Sequence, residues 1–270
     1  MEICETSEAF IEEDDDLVFD HTKVILKGAD DEFSYAKTNS REHSITQIDV
    51  NSLDISRIPA DHIWPLADPT FTRAPDPLPS TSYLKRPSLL YYEDTQDASE
   101  YSRQILTEIE ACEILRRNPH PNIAQYLGCV VKEERVRGLV FTRYSVTLAQ
   151  LLRDGTDFDK SHCLLGIKAG VRHLHNLGLV HNDLNPSNIM MDGDDAVIID
   201  FDSCKREGEE LGLKGGTLEW ALGNQAYARR ENDIYSLSKI EDALFEAVPS
   251  PTQAPKWMSC KLFAFQPAKY

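Results

Sequence analysis

Three side chains within residues 181–202 have types and spacings that could do chemistry. Asp183 and Asn188 lie in the run HNDLNPSN, a tight loop that leads into a hairpin. Asp200 leaves the same hairpin in the run AVIIDFD, so the fold should return it beside Asn188. A carboxylate and a carboxamide that converge make a hard oxygen site, which suits Mg²⁺. The remaining acid, Asp183, could orient a hydroxyl and accept its proton. That is the equipment of phosphoryl transfer.

The elements that must position these groups can be read on either side of them. Residues 188–191 and 196–200 flank an Asp192-Gly193 turn, a hairpin signal. Residues 163–178 read as a long, mostly buried helix closed by Gly178, and residues 147–155 as a short one closed by Gly155. IAQYLGCVV and GLVFTRY are two strands with a charged turn between them. Residues 98–117 carry Ile105, Ile109, Cys112, Ile114 and Leu115 at helical spacing and stop before Pro119 and Pro121. A last helix starts near Asn232 and ends before Pro249.

The N-terminal third is less regular. Pro59, Pro65, Pro69, Pro75, Pro77, Pro79 and Pro87 make residues 59–87 an extended segment that follows a surface. SYLKR and SLLYYE on either side of Pro87 are strand material near a sheet edge. Residues 18–36 predict a small hairpin turning at Gly28, and the acidic residues 1–16 a solvated tail. The expected organisation is an N-terminal extension over 1–58, a first lobe over 59–144 and a second over 145–270. The fold class is α+β.

Composition excludes several classes of function. Lys+Arg is 28 against Asp+Glu 45, a net charge of −17. Such a chain repels phosphate backbones and anionic membrane surfaces, so neither nucleic acid nor membrane is expected as a partner. The first twenty residues hold no Lys or Arg, which is unlike a secretory or organelle leader. The six cysteines form no C-x-x-C pair and read as reduced thiols of an intracellular protein.

The block LHNLGLVHNDLNPSNIMM with VIIDFDSC resembles the catalytic loop and metal-binding segment of eukaryotic-type protein kinases. Segments over about residues 80–245 follow in the family's order. YLKRP is similar to its lysine strand, and EIEACEILRRNPHPNIAQYLG to its regulatory helix and the strand after it. KGGTLEW is similar to the end of its activation segment, and NDIYSLSKI to its buried helix. The resemblance implies a bilobal kinase-like fold that uses ATP and Mg²⁺ and acts on a Ser/Thr hydroxyl of a protein substrate. Lys85 would hold the α and β phosphates, with Glu110 as its ion-pair partner and Glu113 as the alternative. Asp183 would be the base, and Asn188 and Asp200 the Mg²⁺ ligands. Phe141 would be the gatekeeper, Thr142, Arg143 and Tyr144 the hinge, and Met190 the floor of the adenine pocket. Asp233 would brace the catalytic loop, and His181 and Phe201 would join Ile114 in a buried spine.

The departures from the family are as specific as the matches. No glycine lies between Gly28 and Gly128, so a glycine-rich phosphate loop is missing. Tyr83 stands where a small residue normally faces adenine. Asn182 replaces the arginine that reads activation-segment phosphorylation, Asn185 replaces a lysine, and Asp202 a glycine. Asn224 stands where the family has a glutamate, and the second lobe reads as shortened. Two other readings stay open: a catalytically inactive relative acting as a nucleotide- or protein-binding module, and a small-molecule phosphotransferase of the choline or aminoglycoside kinase type.

Overall fold

The computed structural model describes residues 1–13, 16–41, 49–92, 99–211, 216–217, 219–223 and 225–245. The expectations for Asn224, for the helix stop at Pro249, for Cys260 and for the extent of the second lobe lie outside these residues. The chain divides into two compact units. One comprises 1–116 with 126–142, the other 117–125 with 143–270.

In the first unit, residues 1–16 are not simply a solvated tail. Strand β1 (Glu2–Glu13) pairs antiparallel with β2 (Asp16–Lys27), which pairs with β3 (Phe33–Thr38), and β3 with β4 (Ser56–Arg57). The reason lies in β2. Thr22, Lys23, Val24, Ile25 and Leu26 are all buried, so this strand is covered on both faces and needs neighbours on both edges. Glutamates do not prevent β1 from supplying one edge, because the ladder uses backbone groups and the carboxylates can point to water or to partners. The Ile58 amide donates to the Phe33 carbonyl at 2.9 Å, and Phe33 packs on Trp64, so the sheet and the start of the proline-rich segment share a core.

A second sheet has the order β5 (Ser82–Lys85), β7 (Arg135–Thr142), β6 (Tyr126–Lys132). The proline-rich segment does follow its edge. The Val136 amide donates to Pro65 and the Ala67 amide to Glu134; the Cys129 amide donates to Thr72 and the Ala74 amide to Cys129. This close approach depends on Gly128, whose φ is +125° and where a Cβ would lie 2.6 Å from the Ala74 nitrogen. After a short helix α1 (Ala60–Ile63), the main helix of this unit is α2 (Glu100–Arg117). Residues 88–92, the described part of SLLYYE, are not a strand. The chain turns there, with the Tyr92 amide donating to the Leu89 carbonyl, and the Leu89 amide is taken by the Glu5 carboxylate instead of a sheet.

In the second unit, β8 (Val146–Thr147) leads into α3 (Leu148–Asp154). Thr147 caps α3 at its start, and Gly155 closes it in the left-handed conformation. Helix α4 (Lys160–Asn176) starts at the Asp159 cap. β9 (Leu179–Val180), β10 (Ile189–Asp192), β11 (Asp195–Ile198), β12 (Lys205–Arg206) and α5 (Arg230–Phe245) follow. β10 pairs with β8 and β11, and β9 with β12. Residues 122–124 run along β11: Ile198 donates to Asn122, and Ala124 to Ile198, each at 2.9 Å. Among the described residues no helix is long and apolar enough to cross a membrane.

Candidate active site

The first unit supplies an ion pair. Lys85, the last residue of β5, holds Glu108 Oε1 at 2.6 Å through Nζ. Glu108 is 4 % exposed. This corrects the expectation for both alternatives. Glu110 is exposed on the far side of α2, and the buried Glu113 accepts instead from the Thr72 amide at 2.7 Å and hydroxyl at 3.0 Å. Helix geometry explains the choice. Tyr101, Ile105, Glu108, Ile109, Cys112 and Leu115 form the buried stripe, and a residue two positions past Glu108 cannot share its face. The signal was present in the sequence: Glu108 falls three after Ile105 and four before Cys112.

Phe141 of β7 is buried, packs on Tyr126 at 5.5 Å between ring centroids, and pairs in register with Tyr83. Thr142 pairs with Ser82 and ends the first unit, so the expected hinge Thr142, Arg143 and Tyr144 spans the change from one unit to the other. Burial pushes the Tyr144 phenol up. Met190 lies in β10 between Thr147 and Val197.

The second unit builds the loop 181–188. Its anchor is Asp233 on α5, which is fully buried. Its Oδ2 accepts from the His181 amide at 2.9 Å and from His175 Nε2 at 2.8 Å, and its Oδ1 from the Asn182 amide at 2.8 Å. Three donors on one buried carboxylate fix the loop's entry. Asn182 then adopts φ +65°, a conformation that a residue with a Cβ rarely takes. Its carboxamide makes the turn possible. Nδ2 donates to the Val180 and Ser203 carbonyls at 3.0 Å, and Oδ1 accepts from Asn232 at 3.0 Å. His181 accepts the Asp183 amide at Nδ1, which leaves Nε2 to donate to Ile199 O at 3.0 Å. Its ring meets Phe201 edge-on at 5.7 Å.

Asp183 is held on both oxygens. Oδ1 accepts from the Thr217 amide at 2.9 Å and hydroxyl at 2.8 Å; Oδ2 accepts from Asn188 Nδ2 at 3.1 Å. Burial pushes its carboxyl above the ordinary range, the Thr217 hydroxyl and a nearby His181 oppose this, and the charge of Asp200 adds to it. Asn185 shapes the loop by accepting from Ser187 and donating to the Asp183 carbonyl. Thr217, inside the GTLEW stretch, is a contact that no sequence spacing singles out, because residues 34 positions apart meet only in the folded chain.

Asn188 spends both hydrogen bonds of its NH₂ group on Asp183, at the carbonyl and at Oδ2. With its nitrogen engaged there, Oδ1 is the Asn188 atom that could ligate a cation. Ile189 pairs with Ile198, and the Ile199 amide donates to the Asn188 carbonyl at 3.0 Å, so Asn188 and Asp200 leave the same end of the hairpin. Asp200 has φ +65°, the second strained residue of the site. One carboxylate and one amide oxygen fit Mg²⁺, which takes few protein ligands and completes its shell with water and phosphate. Among the described residues no group of three His, Cys, Asp or Glu is placed to hold a metal ion.

A loop braced by a buried aspartate, a second aspartate held on both oxygens, and an Asn/Asp pair at a hairpin end make up the candidate site. Residues 90–254 match the model of the protein kinase domain, which is more than half of the chain. The chain belongs to the protein kinase domain family. It is 28 % identical over 168 residues to the MAP kinase kinase kinase SSK2 of Saccharomyces cerevisiae, covering 59 % of this chain and 10 % of that protein. It is 31 % identical over 156 residues to the human dual specificity testis-specific protein kinase 1, covering 51 % of this chain and 25 % of that one. The chain thus spans a tenth to a quarter of these relatives. The yeast RNA Pol II CTD kinase CTDK-1 complex superposes with a TM-score of 0.45 at 20 % identity, over 55 % of this chain and 52 % of that one. Lys85 precedes the matched stretch.

Proposed function

We propose that this chain is an active protein kinase domain that moves the γ-phosphate of Mg·ATP to a Ser/Thr hydroxyl of a protein. The observation that carries the reading is the division of labour at Asn188. Its nitrogen orients Asp183, the base in this reading, so that its oxygen can serve together with the Asp200 carboxylate as a metal ligand. Mg²⁺ held there would supply positive charge against the phosphate oxygens. Lys85, kept in place by Glu108, offers an ammonium to the α and β phosphates. Asp183 orients the acceptor hydroxyl through the carboxylate that Thr217 and Asn188 fix, and takes its proton. Positioning and charge carry most of such a reaction. Asn182 is neutral and buried, with its carboxamide engaged by Val180, Ser203 and Asn232, so activity should not require a phosphorylated activation segment.

The test is a thermal shift with ATP, with and without Mg²⁺, followed by transfer of labelled phosphate to Ser/Thr peptides. A Mg²⁺-dependent rise in midpoint that Asp200→Ala removes is expected, together with transfer that Asp183→Asn abolishes. Transfer that persists in Asp183→Asn would overturn the assignment of the base. A second reading, a nucleotide-binding module without transfer, is favoured by the lack of glycine between Gly28 and Gly128 and by Tyr83. It predicts the same thermal shift and no labelled peptide.

A further inference from the structure

The sheet of β1 to β4 lies outside the stretch that matches the kinase domain, yet its side chains close on the residues that carry the Lys85–Glu108 pair. Immediately after Lys85, Arg86 donates to Asp31 at 3.2 Å, and Lys27 holds the same carboxylate at 3.1 Å. Two residues on, the Glu5 carboxylate takes both the Ser88 hydroxyl and the Leu89 amide, the latter at 3.1 Å. Leu89 is 1 % exposed. Further along, the buried Lys23 of β2 donates to the Tyr92 carbonyl, and Tyr35 of β3 packs on the Tyr92 ring at 5.8 Å. That ring meets Tyr101, in the first turn of α2, at 6.2 Å. One sheet therefore holds the exit of β5, which carries Lys85, and reaches the start of α2, which carries Glu108, through the Tyr92 ring.

We propose that the N-terminal sheet is an intramolecular brace that sets the Lys85–Glu108 pair, with Glu5 and Asp31 as positioning residues. The physical need is clear. β5 is four residues long, and an ion pair at 2.6 Å tolerates little movement of either element. Support for groups that must be held within fractions of an ångström comes from a shell of fixed hydrogen bonds behind them. Glu5 and Asp31 supply such bonds to the backbone and side chains next to Lys85, at Arg86, Ser88 and Leu89. The inference deepens the kinase reading through its nucleotide measurement, but the brace can be tested without nucleotide.

The first measurement is the rate at which an amine-reactive acetylating reagent modifies Lys85, followed by mass spectrometry, with Lys168 as the internal reference. Glu5→Ala with Asp31→Ala should raise the Lys85 rate severalfold relative to Lys168, and Glu5→Gln, which keeps one acceptor, should raise it less. The second is Mg·ATP affinity, expected to fall about tenfold in the double variant. In a Lys85→Ala background the same two substitutions should cause no further loss, because they act through Lys85. An unchanged Lys85 rate in the double variant overturns the brace, whether or not the sheet stays folded. An additive loss of affinity in the Lys85→Ala background also overturns it. A raised Lys85 rate in a protein that takes up no Mg·ATP upholds the brace and sinks the nucleotide reading instead.

Discussion

The Lys85–Glu108 pair shows how far a single residue's surroundings decide its role. Lys85→Ala leaves a carboxylate buried without this cation and should cost about 3 kcal/mol in chemical denaturation. Glu110→Ala, on the exposed face, should stay within about 0.5 kcal/mol. The two together separate the observed partner from the one that spacing suggested. Thr217 gives a prediction about pH. Its hydroxyl donates to the ionised form of Asp183 and so lowers a pKa that burial raises. Thr217→Val removes that bond, the pKa rises further, and the acidic limb of the pH–rate profile moves to higher pH. A limb that stays in place or moves down would exclude Asp183 as the ionising group. The polar set Asp183, Asn188 and Asp200 was legible because a loop and one hairpin bring them together. The spacing of Glu108 from Ile105 and Cys112 put it on the buried stripe of α2, but that it meets Lys85, and that Thr217 meets Asp183, is chosen by packing between distant segments.

Elements are held by a few close approaches. Gly128→Ala puts a Cβ against backbone atoms of Arg73 and Ala74 at a φ of +125°, so the proline-rich segment must leave the edge of β6. A loss of about 2–3 kcal/mol, with faster amide exchange at Cys129 and Ala74, is expected. Asp233→Ala in α5 removes the acceptor of three buried donors at once and should cost about 3 kcal/mol or more, with transfer lost. Most helices and the strands of the second unit were legible from periodicity, caps and the Asp-Gly turn. β1 was not. Its alternation is weak and its charge suggests a tail, and only the burial of β2 on both faces demands a neighbour there. SLLYYE failed in the opposite direction: its composition suits a strand, but Glu5 takes the Leu89 amide that a ladder would need.

At the scale of the molecule, a net charge of −17 sets a long-range field. If the substrate is a protein, basic peptides should be favoured, and the preference should be salt-sensitive. KM for a Lys/Arg-rich Ser/Thr peptide is expected to rise severalfold between about 0.05 and 0.3 M salt with kcat little changed. A KM independent of salt would show that recognition does not use this field. At the same scale, the first unit includes the sheet, the proline-rich segment, α2 and the β5-β7-β6 sheet together.

By itself the sequence determined the class of the protein and the three polar groups of the loop and hairpin. These depend on local geometry: a turn, a strand spacing and the chemistry of oxygen ligands. Tertiary structure alone decided which glutamate meets Lys85, that Thr217 holds Asp183, and that an acidic N-terminus becomes a strand gripping the residues after Lys85. Each of those outcomes is a competition between distant segments for the same hydrogen bonds and the same buried surface, and only the folded chain resolves it.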